Sequence, residues 1–249
     1  MLMFQPPPPT RYDLRFSIAG IPVSVHPLFW LIALLLGSTG DILLVPIWVA
    51  VIFVSILVHE LGHAFAFRRY GQRSQIVLHF AGGLTIPEPV SWGSGYANVA
   101  LSPNQQIFIS LAGPGAGFLL AGLVVALVTI AGGSILTTWL LGFIPLPANA
   151  LLPFGGRVLS IMVTMLLWVN IFWGLINLVP VYPLDGGTVT RYALMQADPV
   201  DGVRKSLWVS VIAGAVVGLV GLVSLNSIFM ALMFGLLAFQ SYQALQRRF

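Results

Sequence analysis

Long apolar runs constrain this chain more than any other feature of its sequence. Each run is close to the roughly 20 residues that an α-helix needs to cross the hydrocarbon core of a bilayer. Backbone polar groups find no water there, so such segments cross as helices that satisfy their own hydrogen bonds. In chain order, the five runs are residues 44–67, 107–131, 159–179, 203–223 and 228–245.

A sixth span is expected near the start of the chain. Residues 27–37 are apolar but too few to cross alone, so this span is predicted to borrow residues before Pro27 or after Asp41. Only 7% of the residues are charged, compared with about a quarter in soluble domains. The sequence therefore predicts an α-helical polytopic membrane protein with six transmembrane helices.

The basic residues predict the orientation of these helices. With six spans and a cytoplasmic N-terminus, ten of the 11 Lys and Arg residues face the cytoplasm and only Arg157 lies outside, as the positive-inside rule requires. Both termini are then cytoplasmic, and the cytoplasmic membrane of a prokaryote is the expected location. The net charge of +4 reflects this topology, and no nucleic-acid partner is expected.

Two short hairpins are predicted beside the helices. Residues 14–26 alternate in polarity around Ala19-Gly20, and residues 76–87 are rich in β-forming residues, with a turn expected at Gly82-Gly83.

The proline-rich residues 1–10 predict a disordered tail. Residues 132–157 contain three prolines and predict a loop that dips partly into the bilayer. We expect residues 1–249 to form a single membrane-embedded domain.

The motif His59-Glu60-Leu61-Gly62-His63 lies within the run at residues 44–67. Histidines four residues apart lie on one face of a helix, so both imidazoles can reach one metal ion. Glu60 can then act as a base toward water at that metal. The alternative is a pair of interface histidines beside an ordinary glutamate, but ionisable groups within a membrane are costly and are usually functional.

A third ligand is needed, because catalytic zinc sites usually have three protein ligands. The chain has no cysteine, which excludes thiolate ligands. Asp185 follows the fourth span, and Pro180 and Pro183 would break the helix and let Asp185 turn back toward the histidines. The alternative is a loop aspartate in contact with water.

These residues match a known pattern. The motif at 59–63, together with Asn177-x-x-Pro180-x-x-Pro183-Leu184-Asp185-Gly186 after a later span, resembles the site-2 proteases. The resemblance implies an intramembrane zinc metalloprotease that holds one Zn²⁺ per chain through His59, His63 and Asp185, with Glu60 as the catalytic acid and base. Many members carry a PDZ or CBS domain, and none is expected in residues 1–249.

The expected substrate is a transmembrane protein whose helix unwinds locally before cleavage. The hairpin at residues 76–87, with Gly82 and Gly83, is predicted to pair with the unwound segment as an added strand; a purely structural loop is the alternative. Asn177 could hydrogen-bond the substrate or an oxyanion; a helix–helix hydrogen bond is the alternative. The alternative functions are a metal-ion or proton transporter that uses the His/Asp site, and a catalytically silent adaptor that captures helices.

Overall fold

The structure is a computed structural model that describes residues 7–37, 41–88 and 100–248. Most of the predicted tail at residues 1–10 lies outside this part of the chain, and residues 7–10 have no regular secondary structure. A short 3₁₀ turn at Ile42–Leu44 precedes the second helix. The helices and strands, in chain order, are β1 (Leu14–Ile18), β2 (Ile21–Val25), α1 (Pro27–Leu36), α2 (Val45–Arg69), β3 (Ser74–His79), β4 (Gly82–Pro87), α3 (Pro103–Ile130), β5 (Ser134–Leu140), β6 (Ile144–Leu151), α4 (Gly156–Asn177), α5 (Asp185–Ala197), α6 (Gly202–Val223) and α7 (Ile228–Arg248).

Five helices in the described part of the chain are long and apolar enough to cross a membrane. They are α2 with its preceding turn, α3, α4, α6 and α7, and they correspond to the five long apolar runs. The helical fold class with small sheets is thus confirmed. The predicted sixth span is not confirmed, because α1 has ten residues and extends only about 15 Å, half the thickness of a hydrocarbon core. Residues before Pro27 cannot extend it as predicted, since Ile21–Val25 is strand β2.

The described backbone groups into two compact units. One unit contains α1, α2, both sheets and most of α3 and α4. Its larger sheet has the order β1-β2-β3-β4. The first predicted hairpin is confirmed: β1 pairs with β2 in antiparallel fashion, and Ala19 and Gly20 turn the chain with φ of 49° and 79°.

The second hairpin is also present, but its turn was predicted at the wrong residues. Gly82 pairs with His79 and Gly83 with Leu78, so both glycines belong to β4 and the turn is formed by Phe80 and Ala81. Gly82 has a φ of 117°, which few residues other than glycine adopt. The glycines therefore shape the start of the strand instead of the turn.

A hydrophobic core lies between this sheet and the first two helices. The inward residues of β2 and β3 alternate along each strand, as period-two patterning requires, and they pack against α1 and α2. The buried members are Ile21, Val23, Val25, Phe29, Ile56, Leu57, Ala64, Ile76 and Leu78. This core fixes α2, the helix of the histidine motif, against β3 and β4.

Residues 132–157 contain a hairpin where a loop was predicted. Strand β5 pairs with β6 in antiparallel fashion, and Pro145 and Pro147 lie in β6 opposite Trp139 and Thr137. Proline lacks the amide that a central strand would need, so it argues against a strand in most sequences. Here the sheet has only two strands, and both prolines lie on an edge strand.

The other compact unit contains α5, α6 and α7 with the start of α3 and the end of α4. Three glycines of α6, Gly214, Gly218 and Gly221, lie on one helix face and approach α7 closely, which is typical of helix packing in membranes. The predicted tight turn between these helices is confirmed at Asn226, which has a φ of 49°.

Candidate metal centre

His59 and His63 lie one turn apart on α2 and are both buried. Their Nε2 atoms are 3.2 Å apart, and their ring planes are nearly perpendicular, at 78°. Two nitrogens bound to one tetrahedral zinc ion at 2.0–2.1 Å would be about 3.3 Å apart. The two imidazoles are therefore spaced as two ligands of one metal ion would be.

Asp185 is positioned by the break between α4 and α5. Helix α4 ends at Asn177, the segment with Pro180 and Pro183 follows, and Asp185 begins α5. Its carboxylate lies in the first turn of α5, where the helix dipole favours a negative charge. Gly186 makes this turn possible, because a Cβ there would overlap the carbonyl group of Leu178.

The three predicted ligands come together. Candidate ligand atoms of His59, His63 and Asp185 all lie within 4.8 Å of one another, so this cluster could hold a metal ion. Two imidazole nitrogens and one carboxylate oxygen are the donor set of several catalytic zinc sites. Three protein ligands would leave a fourth position for water on a tetrahedral ion, as in catalytic zinc sites.

Glu60 is buried, but its partners lie on β4. The Thr85 hydroxyl is 2.7 Å from Glu60 Oε2 and 3.0 Å from the Glu60 backbone carbonyl oxygen. Gly83, two residues before Thr85, leaves the space that the carboxylate occupies, since a Cβ on Gly83 would overlap the Glu60 side chain. The Glu60 carboxylate therefore lies between α2 and β4.

The predicted substrate-binding residues occupy three positions. A Cβ on Gly83 would overlap the Glu60 side chain, whereas a Cβ on Gly82 would lie 3.3 Å from the ring of Trp173. Asn177 is the last residue of α4 and is half-buried. The roles of Gly82, Gly83 and Asn177 in binding a substrate remain predictions.

Two polar contacts near the site were not predicted from the sequence. One is the contact of Thr85 with Glu60, for which the only sequence signal is the i, i+2 spacing of Gly83 and Thr85 on one strand face. The other joins two neighbouring helices: the buried Asn170 amide of α4 donates to Ser55 Oγ of α2 at 2.9 Å. Ser55 lies one turn before His59, so this bond fixes α4 beside the metal-binding face of α2.

The two remaining histidines have local structural partners. Nδ1 of His26 accepts a hydrogen bond from the Leu28 amide and caps α1. Nδ1 of His79 accepts one from the Ala81 amide in the β3–β4 turn. Burial lowers the pKa of His79, and the nearby His26 acts in the same direction.

The chain resembles known proteins over most of its length. A family model described as Peptidase family M50 matches residues 47–219. The chain is 26% identical over 228 residues to a zinc metalloprotease of Methanocaldococcus jannaschii, covering 88% of this chain and 56% of that protein. It is 30% identical over 223 residues to the protein Rip3 of Mycobacterium tuberculosis, covering 82% of this chain and 48% of Rip3. The chain therefore spans about half the length of these curated relatives.

A solved structure shares the fold. The site-2 protease from Methanocaldococcus jannaschii superposes with a TM-score of 0.54 at 23% sequence identity. The match covers 94% of this chain and 95% of that one. The fold is thus found in a second protein.

Proposed function

The chain belongs to peptidase family M50, the site-2 protease family, and from this membership we propose that it is an intramembrane zinc metalloprotease. The proposed reaction is hydrolysis of peptide bonds within or near transmembrane segments of membrane proteins. The observation that carries the proposal is the cluster of two buried imidazoles and one half-buried carboxylate beside a buried glutamate. Membership also implies a lipid bilayer as the surroundings.

In this proposal His59, His63 and Asp185 hold one Zn²⁺. Bound zinc supplies a Lewis acid, which lowers the pKa of water toward 7 and stabilises negative charge on a carbonyl oxygen. The geometry that supports this assignment is the 3.2 Å separation of the two Nε2 atoms. The absence of cysteine from the sequence is consistent with a nitrogen and oxygen donor set.

Glu60 is the proposed acid and base. As a base it takes a proton from water that attacks the peptide carbonyl, and as an acid it delivers that proton to the leaving amine nitrogen. Its burial supports this role, because a carboxylate without bulk water around it interacts strongly with the few groups that it contacts. Removing the carboxylate while keeping its shape should lower the rate by about 10² to 10⁴.

We further propose six membrane spans with both termini in the cytoplasm of a prokaryote. Five spans are the long apolar helices, and the sixth would contain α1. The placement of ten of the 11 basic residues supports this orientation. The metal site then lies toward the cytoplasmic side, because Arg68 and Arg69 end α2 within two turns of His63.

The β3–β4 hairpin is the proposed binding site for the unwound substrate. Strand β4 is the last strand of its sheet within the described residues, so one edge can accept an added strand. Gly82 and Gly83 leave the start of that strand without side chains. Asn177 is a proposed hydrogen-bond donor to the substrate. Proline substitutions that remove edge amides of β4 should lower cleavage, and unchanged cleavage would reject this role.

The function can be tested by coexpression with tagged single-span membrane proteins. Cleavage by the wild-type chain, and its loss in Glu60→Gln and after chelation, would support the protease. Ion flux that is independent of proteolysis and persists in Glu60→Gln would instead favour a transporter that uses the same ligands. Capture of the tagged proteins without cleavage would favour the adaptor.

A further inference from the structure

The Glu60 carboxylate lies on a different side of α2 from the two histidines. Successive helical residues are about 100° apart around the axis, whereas residues four apart differ by only about 40°. His59 and His63 therefore share a face, and Glu60 points to its flank. On that flank lies β4, with Thr85 and Gly83 against the Glu60 side chain.

We propose that Thr85 is a positioning residue that holds the Glu60 carboxyl group in its reactive orientation. The inference rests on the proposed role of Glu60 as acid and base. The Thr85 hydroxyl is 2.7 Å from Oε2, a distance typical of a hydrogen bond to a charged oxygen. This bond restricts rotation of a side chain whose reactive atom must be placed to within a fraction of an ångström.

The hydroxyl is suited to both states of the acid and base. An ionised carboxylate can only accept, so Thr85 then donates to Oε2. Once Glu60 carries the proton on Oε1, Oε2 is the carbonyl oxygen of the acid and still accepts from Thr85. The contact therefore persists while the proton is held on Glu60.

Gly83 completes the arrangement. Residues two apart on a strand point to the same face, so Gly83 and Thr85 both face α2. A Cβ on Gly83 would overlap the Cγ and carboxyl group of Glu60. Gly83 thus leaves space for the Glu60 carboxyl group, and the Thr85 hydroxyl holds that group in its orientation.

Isosteric variants separate this role from simple packing. Thr85→Val keeps the size and β-branching but removes the hydroxyl, whereas Thr85→Ser keeps the hydroxyl and removes the methyl group. With the full-length chain in detergent and a single-span protein that it cleaves, we expect Thr85→Val to lower kcat by about 10- to 100-fold, with KM within about twofold. Thr85→Ser should stay within about threefold of wild type. A role in packing alone would reverse the order of the two variants.

The control is Thr129→Val, which removes a hydroxyl that bonds only to the Val125 carbonyl oxygen of its own helix in the described structure. It should leave kcat unchanged. Bound zinc, measured by mass spectrometry, should remain one per chain in Thr85→Val, because the metal ligands are intact. Loss of zinc in that variant, or a kcat equal to wild type, would overturn the proposal.

A second pair of variants tests the contact without activity. In the metal-free chain, the melting-temperature shifts of Thr85→Val and Glu60→Gln should be non-additive in the double variant, since both remove the same contact. Additive shifts would overturn the proposal even if Thr85→Val folds poorly. A wild-type chain that cleaves nothing refutes the proposed function, whereas a cleaving wild type matched by Thr85→Val refutes only the role of Thr85.

Discussion

The hydrogen bond between Asn170 and Ser55 offers a quantitative test of how the histidine helix is held. Both side chains are 2% exposed, and the Asn170 amide donates to Ser55 Oγ at 2.9 Å and to the Leu166 carbonyl oxygen at 2.8 Å. Hydrogen bonds between membrane helices contribute about 0.6 kcal/mol on average and up to about 1.7 kcal/mol. Because this pair is buried and has good geometry, we expect a coupling energy of about 1 kcal/mol.

The assay is a double-mutant cycle on the purified chain. Ser55→Ala, Asn170→Ala and the double variant are unfolded by SDS titration in mixed micelles. Asn170→Ala should cost about 1–2.5 kcal/mol, since it also removes the bond to Leu166 and leaves a cavity. The control, Thr129→Ala, removes an exposed hydroxyl whose hydrogen bond within the described residues is to its own helix, and it should change stability by less than about 0.5 kcal/mol. A coupling energy below about 0.2 kcal/mol would refute the reasoning.

Three further predictions concern the turn, the pH and the metal. Gly186→Ala should weaken zinc binding by about 10-fold or more, because its Cβ would overlap the Leu178 carbonyl group, whereas Gly115→Ala, with open space around it, should not. Burial lowers the pKa of His79, so the unfolded chain binds the proton more readily and stability should fall as the pH drops below about 6.5; His79→Asn should show a shallower fall in unfolding scans. Free zinc at 100 times its Kd should stabilise the metal-free chain by about 2.7 kcal/mol, and His63→Ala should lose most of this gain.

Much of the site follows from local rules in the sequence. His59 and His63 share one helix face because they are four residues apart, and this prediction needed only that residues 45–69 be helical. Asp185 was identified because the prolines at 180 and 183 cannot continue a helix. In each case the chemistry of a few neighbouring residues determines the geometry.

The remaining features depend on partners that are distant in sequence. Thr85 contacts Glu60 from 25 residues away, and no local pattern shows that the flank of α2 meets β4. The parallel pairing of β2 with β3 likewise requires the chain to return after two helices. Strand β6 was not predicted, because Pro145 and Pro147 argue against a strand unless it lies at the edge of a sheet. Only packing in three dimensions selects these contacts.

The central claim is that one zinc ion is held by two imidazoles and one carboxylate within the membrane-embedded chain. Zinc X-ray absorption on the purified full-length protein tests it most directly. The account predicts about one zinc per chain, with nitrogen and oxygen ligands at about 2.0–2.2 Å and two imidazoles, of which one is lost in His63→Ala. A chain that takes up no zinc, or whose zinc keeps the same imidazole ligands in His63→Ala, would contradict the account.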